Sequence, residues 1–303
     1  PKGSSDPKDG NNLIVPDEDD IEGLGEFCET FKVSRQKEPG LSLVIPWVNE
    51  EITTNSVITA YVLHFFHAIL GGKLEVTIET PDEVKVLNSE SLIEEAEKLN
   101  EDKDIKAILP VLKLANWGIK EPTSNYFLLD EVPAEKEPKW PEQKFPDDSL
   151  KIMMEDLKSK PIAIRIPLTI TEKEFDGKPP SQSKTHFDIF IEKQTSEQAF
   201  KAFFTRGGMT IPKIKSQHRN FISIVAAEDL PVTTFLGDAE NPAHIDWSEK
   251  AEKFQGKYNL AASILRFIKR SVTGVLEHIS KQDKESDPDL LADIFFITTE
   301  APP

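Results

Sequence analysis

The chain has 303 residues, 38% of them apolar, enough to bury a substantial core in one large domain or two ordinary ones. Thirty-six Lys and Arg stand against 53 Asp and Glu, and the resulting charge of −17 repels nucleic-acid phosphates over the molecule as a whole, so that any nucleic-acid contact must be local. A lone cysteine, Cys28, excludes an internal disulfide and a cysteine-based metal cluster, which makes the cytoplasm the expected compartment.

Residues 1–20 are polar, with Pro, Gly and acidic residues throughout, and bury too little surface to offset the entropy of ordering, so disorder is expected there. They hold no apolar stretch of the kind a signal peptide needs. From Ile21 the apolar content rises. Leu41, Leu43, Ile45 and Trp47 alternate with Ser42, Val44 and Pro46 as in a strand buried largely on both faces. Thr53, Thr54 and Asn55 offer N-cap side chains for a helix from about Ser56 to Leu70 that is apolar on nearly every face and therefore lies inside a packed domain. Its apolar run is shorter than the ~20 residues that cross a bilayer, and His64 and His67 interrupt it, so no membrane span is expected.

Gly71-Gly72 ends that helix, and a strand over Lys73–Glu79 stops at Pro81. Leu92-Ile93-Ala96-Leu99 and Ile105-Ile108-Leu109-Leu112-Leu114 are helical patterns, closed by Trp117-Gly118. Pro133, Pro138, Pro141 and Pro146 fix too many φ angles for a regular element, which makes 131–149 the expected linker between a region at 21–130 and a domain at 150–280. Past a short helix at Leu150–Leu157, strands are expected at Pro161–Ile170, Thr185–Ile191, Ala199–Thr205 and Asn220–Ala226, with Asp176-Gly177 and Pro179-Pro180 as turns. One long helix from about Tyr258 to Ser280 carries Leu260, Ile264, Phe267, Ile268, Val272, Val275, Leu276 and Ile279 on one stripe, and a tail follows over 281–303 with Leu290–Ile297 as its apolar part. The fold class expected is α+β, a mostly antiparallel sheet covered by helices.

Chemistry-bearing residues are sparse. His64 and His67 stand three apart, but no third ligand has a supporting spacing, so a metal hydrolase is the weakest of the readings. His186, His218, His244 and His278 are scattered, and Cys28 between Phe27 and Phe31 reads as a small buried hydrophobe. No Gly-x-x-x-x-Gly-Lys-Ser/Thr phosphate loop occurs. The one basic patch is Thr205–Arg219: Gly207-Gly208 permits positive φ and close backbone approach, while Arg206, Lys213, Lys215 and Arg219 offer donors to a phosphate, or else decorate a solvated hairpin. In Pro242-Ala-His-Ile-Asp-Trp247, Trp247 packs on the sheet while Asp246 or Ser248 caps a helix, or His244, Asp246 and Trp247 form a partner surface.

In chain order, Glu38-Pro-Gly-Leu-Ser-Leu-Val-Ile-Pro46, Phe65-Phe-His-Ala-Ile-Leu-Gly-Gly-Lys-Leu-Glu-Val76, Arg206-Gly-Gly-Met209, Gly237-Asp-Ala-Glu-Asn-Pro-Ala-His-Ile-Asp-Trp247 and Arg266-Phe-Ile-Lys-Arg-Ser-Val272 resemble bacterial ATP-binding proteins of the GHKL, or Bergerat-fold, superfamily. The resemblance implies that 21–130 is a strand-helix-strand remnant of a nucleotide domain plus a helical connector, and that 150–280 is a transducer-like α+β domain. It departs from the family at Leu41, where Thr is usual, at Glu22 in Asp20-Ile-Glu-Gly-Leu-Gly25, and after Glu51-Ile-Thr-Thr-Asn55, where Thr59-Ala60 follows one residue late. With the glycine boxes missing and Pro1 in place of an initiator Met, the chain is expected to be a non-catalytic downstream part, inactive alone. ATP and Mg are then cofactors of the full-length protein, not of this chain alone. A basic residue of the Arg206–Arg219 loop, with Lys213 or Lys215 preferred, would sense the γ-phosphate and pass closure to partners. The missing N-terminal nucleotide domain is the first partner, a protein partner or a homodimer stays open, and the competing expectation is an acidic protein–protein interaction module of a bacterial defence or DNA-processing system.

Overall fold

A computed structural model of the chain describes residues 21–33, 41–45, 47–146, 148–174, 177, 179–196 and 198–284. The segment 1–20 expected to be disordered, Glu38–Gly40, Pro46, Asp176 and the tail run Leu290–Ile297 lie outside the described residues. The chain separates into two compact units, Pro1–Ile52 and Thr53–Pro303.

In the first unit, helix α1 (Ile21–Thr30) contributes Phe27, whose ring lies 4.8 Å from that of Phe31. Cys28 beside them is only partly buried, not the core hydrophobe expected. The strand expected at 41–47 is absent: the described residues there have no regular structure, and Leu41, Leu43, Ile45 and Trp47 are 61–96% exposed. Alternation makes a strand only where a neighbour supplies the ladder bonds and a face to bury against, and no described strand does so.

The second unit opens on helix α2 (Thr54–Leu70), started by a capping box in which Ser56 N–H donates to Thr53 Oγ1 and Thr53 N–H to Ser56 Oγ. A hairpin of β1 (Val76–Glu79) and β2 (Val84–Leu87) follows, then α3 (Leu92–Lys98) and α4 (Lys103–Lys120), which is N-capped by Asp102. The break expected at Trp117-Gly118 does not occur. Helix α4 runs on through it, because Gly118 serves packing: a Cβ there would stand 2.7 Å from the Phe190 ring, so the missing side chain lets the helix approach the sheet.

After β3 (Phe127–Leu128) and α5 (Ser149–Asp156) come β4 (Ile162–Glu172), β5 (Ser181–Lys193), β6 (Ala199–Lys201), β7 (Phe203–Arg206), β8 (Met209–Thr210), β9 (Gln217–Arg219) and β10 (Phe221–Ala227). The expected strand at 199–205 is thus two strands in different sheets: β6 pairs only with β9, while β7 joins the six-stranded sheet ordered β3-β4-β5-β10-β7-β8. That sheet is mixed, since β3 runs parallel to β4 and β7 parallel to β10, with antiparallel pairing elsewhere. The fold is α+β.

Period-two burial divides the core. Ile162, Ile164, Ile166, Leu168, Phe187, Ile189 and Val225 face α5, α6 (Leu230–Asp238), α7 (Ala261–Lys269) and α8 (Ser271–Lys284). Ala163, Phe190, Ile222, Ile224 and Ala226 face α2, α3 and α4. Covered on both sides, β10 is buried along its whole length and therefore reads as an apolar run broken only by Ser223. The single long helix expected at 258–280 is two, α7 and α8, divided at Arg270, and the apolar stripe continues across the break.

Residues 131–149 do not separate compact units; the chain divides after Ile52. Among its described residues, regular structure is confined to a bridge from Val132 to Leu168, a 3-10 turn at Trp140–Glu142 and the start of α5 at Ser149, yet the stretch is anchored: Trp140 is 6% exposed, stacks on Phe267 with ring centroids 4.4 Å apart, and donates from Nε1 to the Phe267 carbonyl at 2.9 Å. No helix of the described residues is long and apolar enough to cross a membrane.

Candidate functional site

Polar chemistry concentrates where the end of α2 meets the turn between β7 and β8. Gly207 and Gly208 both have positive φ, +55° and +84°, so the turn needs residues without a side-chain penalty. Gly208 has a second requirement. A Cβ there would lie 2.5 Å from the Ala68 Cβ, so what comes close to this glycine is helix α2, not a ligand.

Glu228, just past β10, receives three donors at this point. Gly208 N–H reaches Oε1 at 2.9 Å, Lys73 Nζ lies 2.5 Å from Oε2, and His67 Nδ1 stands 3.3 Å from Oε1. Burial alone would push the Glu228 carboxyl up, but the hydrogen bonds and charges of His67 and Lys73 outweigh it and hold the group at about 2. It is therefore ionised at neutral pH. Around it, the buried side-chain atoms His67 Nε2, Thr205 Oγ1 and Thr210 Oγ1 have no hydrogen-bond partner among the described residues.

Arg206, on the other side of the same turn, does not point a free guanidinium at a phosphate. Two of its three nitrogens bond Glu240, with Nη2 at 2.9 Å from Oε2 and Nε on Oε1. The Glu240 side chain is 1% exposed and also takes the Trp247 indole N–H at 3.4 Å and His244 Nδ1 at 2.6 Å. Trp247 itself is 1% exposed and edge-on to Phe204, which removes it from any partner surface. His244 is exposed with φ +54°, and Asp246 accepts from Trp247 N–H at 2.8 Å and lies 3.4 Å from Lys269 Nζ. No helix starts at Asp246 or Ser248; Ser248 Oγ instead accepts from Lys250 N–H.

The loop from β8 to β9 holds the remaining candidates. Lys213 and Lys215 are exposed on either side of buried Ile214, and neither ammonium meets a carboxylate among the described residues. Lys213 N–H donates to the Ile245 carbonyl at 2.9 Å, which ties this loop to the 240–247 loop. Lys201 Nζ donates to the Pro212 carbonyl and steadies the loop base. Arg219 is half-buried at the end of β9, beside Ala199. His218 adds no charge at neutral pH, because burial pushes its imidazole down to about 4.

His64 is exposed and His67 is buried on Glu228, so the pair does not share an open face, and no group of three or more His, Cys, Asp or Glu among the described residues is placed to hold a metal ion. Residues 21–25, where the sequence departs from the family at Glu22, are helical. Asn55 is exposed on the first turn of α2, where Thr53 acts as the cap. Glu228 and Glu240 carry no local signal in an acidic chain, and sequence reasoning missed both. No family model, curated protein or solved structure matches the chain.

Proposed function

We propose that this chain is the non-catalytic, transducing part of a GHKL-type ATP-binding protein, in which the loop after β8 meets the γ-phosphate of ATP held with Mg by a separate nucleotide domain. The observation that carries the reading is the pair Lys213 and Lys215, projecting from a loop anchored by Ile214 and unneutralised in a chain of charge −17. An ammonium free of carboxylates and fixed at its base is what phosphate sensing needs. Arg206 is the weaker candidate, since Glu240 takes its Nε and Nη2.

The test measures magnesium-dependent ATP hydrolysis by the purified chain, where none is expected, and then with the nucleotide domain added, where stimulation should be lost in K213A/K215A. Turnover by the chain alone overturns the proposal, as does stimulation that survives the double substitution. A second reading, an acidic module docking a protein partner, is favoured by the exposed apolar residues Leu41, Leu43, Ile45 and Trp47. In that case a pull-down with the full chain recovers a partner at physiological salt, and L43D/W47D loses it.

A further inference from the structure

We propose that the Arg206–Gly207–Gly208 turn is a clasp that makes the end of α2, the 240–247 loop and Lys213 move together. The inference deepens the relay reading and rests on it for what drives the motion.

On one side of the turn, Glu228 gathers Gly208 N–H, His67 of α2 and Lys73 of the segment after it. The Gly208 carbonyl also accepts from Ala68 N–H at 3.2 Å. On the other side, two residues away, Arg206 is held by both oxygens of Glu240, which binds His244 and Trp247 as well. From there Ile245 reaches Lys213 through a backbone hydrogen bond. The route from α2 to the exposed lysine thus alternates hydrogen bonds with two short covalent stretches, Arg206–Gly208 and the loop from Glu240 to Ile245.

Two features make the turn move as a unit. Breaking the Arg206–Glu240 pair strands a carboxylate whose side chain is 1% exposed, and a shift of Gly208 takes from the half-buried Glu228 one of its donors, so a shift of α2 drags the turn more readily than it detaches from it. Ala68 stands against Gly208 with no room for even one carbon atom between them, so a push from the helix is transmitted as directly as a pull.

The experiment is hydrogen exchange on the full chain without nucleotide. E228Q should accelerate exchange of the Lys213 amide and the 240–247 amides by about fivefold or more, as well as at the end of α2. Because coupling is reciprocal, E240Q should accelerate the Lys73 and Leu74 amides, which are bonded to Ala68. D188N, which breaks the other bidentate pair of the sheet, should act through its general loss of stability, accelerating the β4 and β5 amides at least as much as these two groups. Should E228Q fail to fold, K73A removes only the more exposed arm of the same node and carries the comparison. Acceleration confined to α2, or spread equally over β4 and β5, overturns the clasp. Since no nucleotide is present, that failure leaves the ATP reading standing, and ATP turnover by the chain alone would leave the clasp standing.

Discussion

Trp140 offers the sharpest test of whether the proline-rich stretch belongs to the core. Its ring is stacked on Phe267 at an interplanar angle of 5°, its N–H donates to the Phe267 carbonyl, and it covers Gly274, where a Cβ would approach to 2.0 Å. W140A removes a buried Trp, about 3–5 kcal/mol, and leaves the carbonyl without its donor, adding about 1 kcal/mol. With a urea m-value of about 2–3 kcal/mol/M, the unfolding midpoint should fall by roughly 1.5–2.5 M. W140F keeps a ring on Phe267 but loses the donor, so its midpoint should fall by only about 0.5 M, a loss of about 1–2 kcal/mol. G274A, which pushes against the indole, should cost about 1–3 kcal/mol in the parent and much less in W140A, because the two share one contact. A W140A midpoint within about 0.5 M of the parent would show the stretch to be a loose connector and refute the reasoning.

The Glu228 carboxyl, held near 2, adds stability that is complete above the ordinary glutamate range and disappears as pH falls from about 4.5 to 2. The stability difference between parent and E228Q should therefore shrink by on the order of 2–3 kcal/mol over that window in urea titrations at each pH; a difference independent of pH contradicts the assignment. G207A should cost about 1 kcal/mol for its positive φ alone, while G208A, with φ +84° and Ala68 in the way, should cost about 3 kcal/mol or more by thermal unfolding; equal losses would dismiss the close approach. D188N strands Arg165, which binds both Asp188 oxygens at 2.8 Å, and should cost about 2–4 kcal/mol in chemical unfolding. K213A/K215A, by contrast, should stay within about 0.5 kcal/mol of the parent.

Helix α2 and strands β4, β5 and β10 were legible because their apolar periods are long enough to survive a few polar interruptions. Other elements depended on partners that local pattern does not reveal. The alternation at 41–47 has the form of a strand, but form alone does not supply a neighbour, and the side chains stay exposed. Gly118 reads as a helix breaker until Phe190 is seen to need the space. The prolines of 131–149 rightly limited regular structure and wrongly suggested a boundary, because no spacing rule connects Trp140 with Phe267. At the site, Gly207-Gly208 announced positive φ and close approach, yet the approaching group was α2 from far upstream. Glu228 and Glu240 are two acidic residues among many, marked only by the cations and amides that the fold brings to them.

The docking of Ala68 against Gly208 also fixes when this molecule is finished. As the nascent chain leaves the ribosome, the β4–β5 hairpin can zip from neighbouring residues, but α2 must wait for β7, β8 and Glu228 to be synthesised before its apolar side has a seat. Through that interval Ile58, Val62, Phe66 and Ile69, all fully buried at the end, have only the β1–β2 hairpin, α3 and α4 of their final cluster for company. Demand for chaperones during translation should therefore fall on the earliest-made helix of the second unit and not on the strands made last.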